Sequence, residues 1–328
     1  MRKLFTVIIA AGCAFACLCA AAQQAEPSRL FKAPAHPLRL LSDASVLSAT
    51  QSGSRVVAVG QRGVVLVSEN AGKDFRQAKS VPVGATLTSV AFSSRNEVWA
   101  AGHWGTILKS SDAGETWQLQ RIDTINDQPL FSIWFENPQH GLAVGLFSLV
   151  LETHDGGRSW DRVALPKSAD GDRSELNLFK VFGDAAGTIY IAAEQGTLYR
   201  RPPGQARWDV VSTGGKGTLW TGVALDGQTV VVAGLQGKMF RSEDGGMSWQ
   251  PVPSNTTSSI TDLIQLPDGR LVGTGSDGIV LVSSDRGRTF HSSRPVAVTA
   301  LHAVAVGARG RPLVFAQHGV GQLLSDDK

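Results

Sequence analysis

The sequence predicts an all-β ring built from repeated four-stranded antiparallel units, and three observations carry that prediction. The first is a recurring octet. Ser242-Glu-Asp244-Gly-Gly246-Met-Ser248-Trp249 reads Ser-x-Asp-x-Gly-x-Ser-Trp, and near-copies run from Ser110 to Trp117, Thr153 to Trp160 and Ser283 to Phe290. A weaker copy from Ser68 to Phe75 puts Asn70 where the others have Asp112, Asp155, Asp244 and Asp285. The second is spacing: Asn70 to Asp112 is 42 residues, Asp112 to Asp155 is 43, Asp244 to Asp285 is 41, and Asp155 to Asp244 is 89. A fixed period of this size marks a repeat architecture, and the 89-residue interval holds one degenerate copy. The third is the alternation of short apolar stretches with Gly and Asp turns, without a helical period of useful length.

The chain opens with Arg2-Lys3 and an uncharged apolar run from Leu4 to about Ala22, ending in Ala20-Ala21-Ala22. A basic start, an apolar stretch and small residues at the cleavage positions describe an export signal over 1–22, cleaved before Gln23. All three cysteines, Cys13, Cys17 and Cys19, fall inside it. Lipidation at Cys13 is the lesser reading, because Ala10 stands three positions before it where a lipoprotein signal favours Leu. The remaining chain has no cysteine, which excludes thiolate chemistry and thiolate metal sites. Removing Arg2 and Lys3 takes the formal charge from +3 to +1, and so near-neutral a surface argues against nucleic acid as a partner. The expected compartment is the periplasm or the exterior.

Residues 23–44, with Pro27, Pro34 and Pro37, read as a leader. Over 45–328 the same cassette recurs. Its second and third strands read Arg55–Gly60 with Gly63–Ser68, Glu97–Gly102 with Gly105–Ser110, and Gly141–Gly145 with Ser148–Thr153. They continue as Thr188–Ala193 with Gly196–Arg201, Thr229–Gly234 with Gly237–Ser242, Arg270–Gly275 with Gly278–Ser283, and Arg311–Ala316 with Gly319–Leu324. The fourth is the degenerate copy, with Arg201-Pro-Pro-Gly204 in place of the Asp turn and Trp208 keeping the aromatic. First strands are expected at Leu87–Phe92, Leu130–Phe135, Leu178–Phe182, Leu219–Ala224, Ile260–Ile264 and Leu301–Val306. The seventh cassette ends before a fourth strand, so the segment around Arg29–Leu41 is expected to supply it, since a closed ring leaves no unpaired edge. The expectation is a seven-bladed β-propeller with four strands per blade.

In the repeated turn, Asp accepts backbone N–H bonds, Ser or Thr adds a local bond, Gly takes φ > 0 and the aromatic buries apolar surface. Five near-copies suit a structural role, since chemistry needs one site. The pattern resembles the Asp box, or bacterial neuraminidase repeat, with full matches at Asp112, Asp155, Asp244 and Asp285 and a weaker one at Asn70. The Ala-x-Gly-x-x-Gly hairpin and the Asp-Gly-Gly-x-Ser-Trp wording look most like the photosystem II assembly and stability factor propellers and their exported bacterial relatives. That resemblance implies a non-enzymatic assembly factor that binds a membrane-protein partner.

Asp-box propellers also include sialidases, so a sialidase-like glycoside hydrolase is one alternative and a non-catalytic carbohydrate-binding propeller another. No Arg-Ile-Pro occurs, and the two tyrosines, Tyr190 and Tyr199, fall within strands. The hairpin turns on the rim opposite the Asp turns are expected to bind the partner, through Arg62, His103, Trp104, Leu146, Phe147, Leu235, Gln236 and His318. The chain is expected to be a monomer without cofactor. The acidic 167–175 loop reads as solvated, and the seven scattered histidines predict no metal; only His103, His302 and His318 could meet, at the ring centre.

Overall fold

The computed structural model describes residues 33–167, 175–294, 300–316, 319 and 321–324. The export signal, most of the 167–175 loop and His318 lie outside these residues. The described chain forms consecutive antiparallel meanders, each a small sheet whose strands lie in sequence order. The first runs through Val46–Ser52, Arg55–Gly60, Val65–Ser68 and Arg76–Gln77. First strands at Leu87–Phe92, Leu130–Phe135, Leu219–Ala224 and Leu301–Val306 match the expectation to the residue, while Leu178–Gly183 and Ile260–Gln265 each run one residue longer.

The expectation of seven four-stranded blades is corrected. Among the described residues six sheets are complete four-stranded blades, and the remaining sector holds a three-stranded sheet, Leu301–Val306, Pro312–Ala316 and Gln322–Leu323. Of the segment expected to complete it, residues 29–32 lie outside the described residues. Residues 33–40 form no strand, and their bonds go to the first blade instead. Ala35 N–H donates to the Val81 carbonyl at 3.0 Å, and the Gln77 side chain spans the Leu38 N–H and the His36 carbonyl. Among the described residues the seam is joined by side-chain burial. Val46, Val56, Ala58 and Leu66 of the first blade pack on Ala303, Ala305, Leu313 and Phe315 of the three-stranded sheet, with Leu38, Leu41 and Phe75 covering the join. Phe75 meets Phe315 edge-on at 5.8 Å.

A single local device explains why the units pack as a ring. Each first strand carries a β-bulge at its start, between Leu87 and Ser89 or between Ile260 and Asp262, for example. The bulged residue re-aims its side chain toward the next unit. Thr88 Oγ1 donates to the Leu130 carbonyl at 2.6 Å, and Thr261 Oγ1 donates to the Leu301 carbonyl at 2.7 Å. At the seam His302 takes that position and donates from Nδ1 to the Val46 carbonyl at 3.2 Å. Phe131 and Phe179 occupy it in the third and fourth blades and stack at 5.4 Å.

The glycine that ends most second strands is forced by close approach. A Cβ on Gly60 would stand 1.8 Å from the Ser45 carbonyl oxygen, on Gly102 2.1 Å from that of Thr86, and on Gly145 2.0 Å from that of Pro129. The apolar clusters lie between neighbouring units. Trp99 of the second blade, fully buried, stacks on Phe135 of the third at 4.9 Å and meets Trp160 edge-on.

Candidate functional site

The repeated turn is a hydrogen-bonded staple on one face of the ring. Asp244 Oδ1 accepts the N–H groups of Met247 (3.0 Å) and Ser248 (2.9 Å), while Oδ2 accepts the Ser248 hydroxyl. Ser242 Oγ donates to Asp244 and accepts the Gly246 N–H, so every short polar residue of the octet is used locally. Asp112, Asp155 and Asp285 repeat these bonds. At Asp155 the Ser159 N–H and hydroxyl hold the carboxyl down to about 2. Asn70 keeps the geometry without the charge, its Oδ1 accepting the Asp74 N–H at 2.9 Å. Neighbouring blades grip the turns as well: Arg200 Nε donates to the Gly245 carbonyl and Arg241 Nε to that of Arg286.

The opposite face carries the turns between second and third strands. Among the described residues five are tight reversals whose second residue and following glycine both take φ > 0, as at Arg62 (56°) with Gly63 (70°) and Trp104 (59°) with Gly105 (54°). That is a two-residue type I′ turn, whose twist matches the flanking strands. The corner is therefore the second residue and the glycine rather than the two intervening residues, and the first residue of the pair is tied down. Its N–H bonds the chain before the first strand, as Gln61 to Ser45, His103 to Thr86 and Leu235 to Thr218. In the third blade Ser148 stands in the glycine position at φ 53°.

The rim residues are unequal. Arg62, His103 and Gln236 are exposed, Leu146 is half-buried, and Trp104 leans on the core between the first and second blades. Phe147 is 49% exposed and Leu235 36%. Sequence reasoning passed over Ile125, which is 90% exposed on this same face. Ile125 sits in the loop linking the second and third blades, pinned by the Asp123 carboxylate, which accepts the N–H groups of Ile125 and Asn126. An apolar residue in an interblade loop carries no periodic signal, so only its exposure reveals it.

Beside Leu235, over the fifth blade, lies a groove of about 1510 Å³ between the loops 213–217 and 253–257. Phe240, Leu235 and Ile279 give it apolar walls, and among the described residues Lys216, Lys238 and Arg294 line it with no acidic side chain. A smaller cavity of about 310 Å³ lies on the ring axis among the first strands. There Lys180 pairs with Asp262 across the ring at 3.3 Å, and Asp262 also accepts the Val304 N–H. Tyr190 and Tyr199 are interior, and burial pushes the Tyr190 hydroxyl up to about 12.

On the staple face, the degenerate fourth blade builds a polar network that sequence reasoning missed. Arg201 occupies the position where the other blades place the staple Ser or Thr. It stacks on Trp208 and reaches into the third blade, donating to the buried Glu152 at 2.6 and 3.0 Å. Glu152 also bonds His140 Nε2 at 2.6 Å, and Glu136 bonds His140 Nδ1 at 2.7 Å. Burial pushes the Glu152 carboxyl up, but His140 and Arg201 outweigh it and hold it at about 2. Glu152 in turn raises the His140 pKa against the opposing effect of burial. His103 and His302, expected near one another only at the axis, instead lie on the rim and in the seam.

A family model described as photosynthesis system II assembly factor YCF48 matches residues 116–317, more than half of the chain. Among curated proteins, the chloroplastic photosystem II stability/assembly factor HCF136 of Arabidopsis thaliana is 25% identical over 147 residues, which is 44% of this chain and 35% of that protein. Its counterpart from Oryza sativa subsp. japonica is 30% identical over 73 residues, covering 22% and 18% of the two chains. This chain thus matches about a third or less of the length of those relatives. A solved structure of YCF48 bound to D1 peptide superposes with a TM-score of 0.70 at 16% identity, covering 88% of this chain and 96% of that one. YCF48 from Cyanidioschyzon merolae gives 0.69 at 17%, covering 88% and 97%, and the WD40 propeller domain of Doa1 gives 0.68 at 13%, covering 91% and 97%. Those structural likenesses speak to the fold. On the family match, the chain belongs to the photosynthesis system II assembly factor YCF48 family.

Proposed function

We propose that the chain is a non-catalytic assembly scaffold that holds an extended segment of a membrane-protein subunit on the face of the type I′ turns. The observation that carries this reading is the groove over the fifth blade, apolar-walled and lined among the described residues by Lys216, Lys238 and Arg294 without an acid, on the face that also exposes Phe147, Leu235 and Ile125. Exposed apolar side chains gathered on one face of a rigid scaffold suit a partner surface. The cations suit a segment with acidic side chains or a free carboxylate, through charge-assisted hydrogen bonds. Family membership supports an assembly role, and the solved YCF48 is bound to a peptide of D1. The export signal read over 1–22 would place the scaffold on the outer side of the membrane, as a periplasmic protein.

Recovery of partners from detergent-solubilised membranes tests the reading. Phe147→Asp with Leu235→Asp should lose a membrane subunit that the wild type and Met247→Asp, altered on the opposite face, both retain. Equal recovery with all three proteins contradicts it.

A further inference from the structure

The network at the third and fourth blades contains a second constellation that the partner face does not use. His140, Glu152 and His154 offer ligand atoms that all lie within 4.8 Å of one another. We propose that these three residues form a binding site for a divalent transition-metal ion of the zinc class, with one coordination position open to the adjoining cleft.

The geometry follows from strand register. Across the hairpin of the third blade Gly141 faces Thr153 and Leu142 faces Glu152, so continuing the register sets His140 opposite His154. Glu152 and His154 are two residues apart, which puts them on one side of the strand. The two imidazoles already stack at 4.7 Å, with planes 5° apart. Two nitrogen donors and one carboxylate oxygen are the donor set of a catalytic or exchangeable zinc site; calcium and magnesium want oxygen throughout. The outer contacts are those of a metal site. Glu136 holds His140 Nδ1 at 2.7 Å and so turns Nε2 toward Glu152, as carboxylates orient metal-binding histidines. Arg201 fixes Glu152 by two bonds from the neighbouring blade. A cleft of about 710 Å³ adjoins these residues where Arg201-Pro202-Pro203-Gly204 replaces the staple turn. It gives room for a water or a donor from another molecule.

Two adjustments are required, and both are small. A tetrahedral ion at about 2.0–2.1 Å needs donors roughly 3.3 Å apart, so the His140–Glu152 hydrogen bond must open by under about 1 Å. Parallel rings cannot both point at one ion, so one must rotate. His154, with a side chain 71% exposed, does so freely, and its Nε2 stands 3.5 Å from Glu152 Oε1 before any movement. The Arg201 charge weakens the site, and the two carboxylates, Glu136 and Glu152, offset it.

Titrating Zn²⁺ into the purified, chelator-treated chain lacking a polyhistidine tag, followed by calorimetry, tests the proposal. Co²⁺ absorption in the visible range reports the coordination geometry. The expected result is one equivalent bound, with tetrahedral cobalt bands. His154→Gln, an exposed change that leaves the fold intact by circular dichroism, and His140→Gln should each weaken binding by more than tenfold. Glu136→Gln should weaken it about 10–100-fold, as loss of an orienting carboxylate does. Absence of saturable binding, or unchanged affinity in His154→Gln and His140→Gln, overturns the proposal.

Discussion

Replacing Asp244 separates acceptor geometry from charge in the repeated turn. Its carboxylate accepts the N–H groups of Met247 and Ser248 and the hydroxyls of Ser242 and Ser248. Bonds to a charged acceptor contribute about 1.5–3 kcal/mol each when shielded. This turn is only half-buried, so solvent reduces the two backbone bonds to about 1 kcal/mol apiece. Asp244→Ala should therefore destabilise the chain by about 2 kcal/mol. In a chain this long that is roughly 4 °C in Tm. Asp244→Asn should lose less than about 1 kcal/mol, because Asn70 fills the equivalent position and keeps the key bond at 2.9 Å. Acid separates the two variants further. Burial pushes the Asp244 carboxyl up, but its hydrogen bonds win and hold it at about 2 against the ordinary 3.8. The unfolded chain therefore takes up the proton first, and the stabilisation present above about pH 4 is lost as pH falls toward 2. The Asn variant should lack that component. Urea unfolding at pH 7 and pH 3.5 measures both effects. A costless Asp244→Ala, or an Asn variant as damaged as the Ala one, would refute the staple.

Three other perturbations address the ring. Gly102→Ala sets a Cβ about 2.1 Å from a backbone oxygen and should abolish soluble expression, whereas Gly53→Ala meets open space and should lose only about 1 kcal/mol for its left-handed φ. Phe315→Ala removes a fully buried ring from the seam and should lower stability by about 3–5 kcal/mol in urea unfolding, as large core truncations do. His302 is held below the ordinary 6.5 by burial, so the unfolded chain binds its proton more readily and seam stability drops as pH falls below about 6.5. His302→Thr should keep the contact that Thr88 and Thr261 make and show a flatter stability profile between pH 7 and 5 than the wild type.

The strands were legible because each obeys one local rule. Leu87–Phe92 alternates, ends before a turn and repeats 43 residues later at Leu130–Phe135. The fourth blade was legible despite its lost Asp because Trp208 and the Gly196 strand kept their places. The seam was not. A general rule about open edges favoured a fourth strand from the leader, whereas the contacts that join the seam among the described residues are side-chain burial around Phe315 and the His302 bond. The turn glycines were visible, but that Arg62 and Trp104 share their left-handed conformation is a backbone fact with no residue preference behind it. His140 and His154 read as scattered, being fourteen residues apart. Counting back from the Gly145–Leu149 turn would have paired them, since hairpin register is fixed by the turn. Ile125 carried no signal.

Site-specific photo-crosslinking compares the two faces directly. A photoreactive residue at Phe147 or Leu235 and another at Met247, 63% exposed on the staple face, would be irradiated in membranes that contain the partner. The account predicts one membrane-protein adduct from 147 and 235, suppressed by Lys216→Glu with Lys238→Glu, and none from 247. Adducts from 247 alone, or equally from both faces, would contradict it.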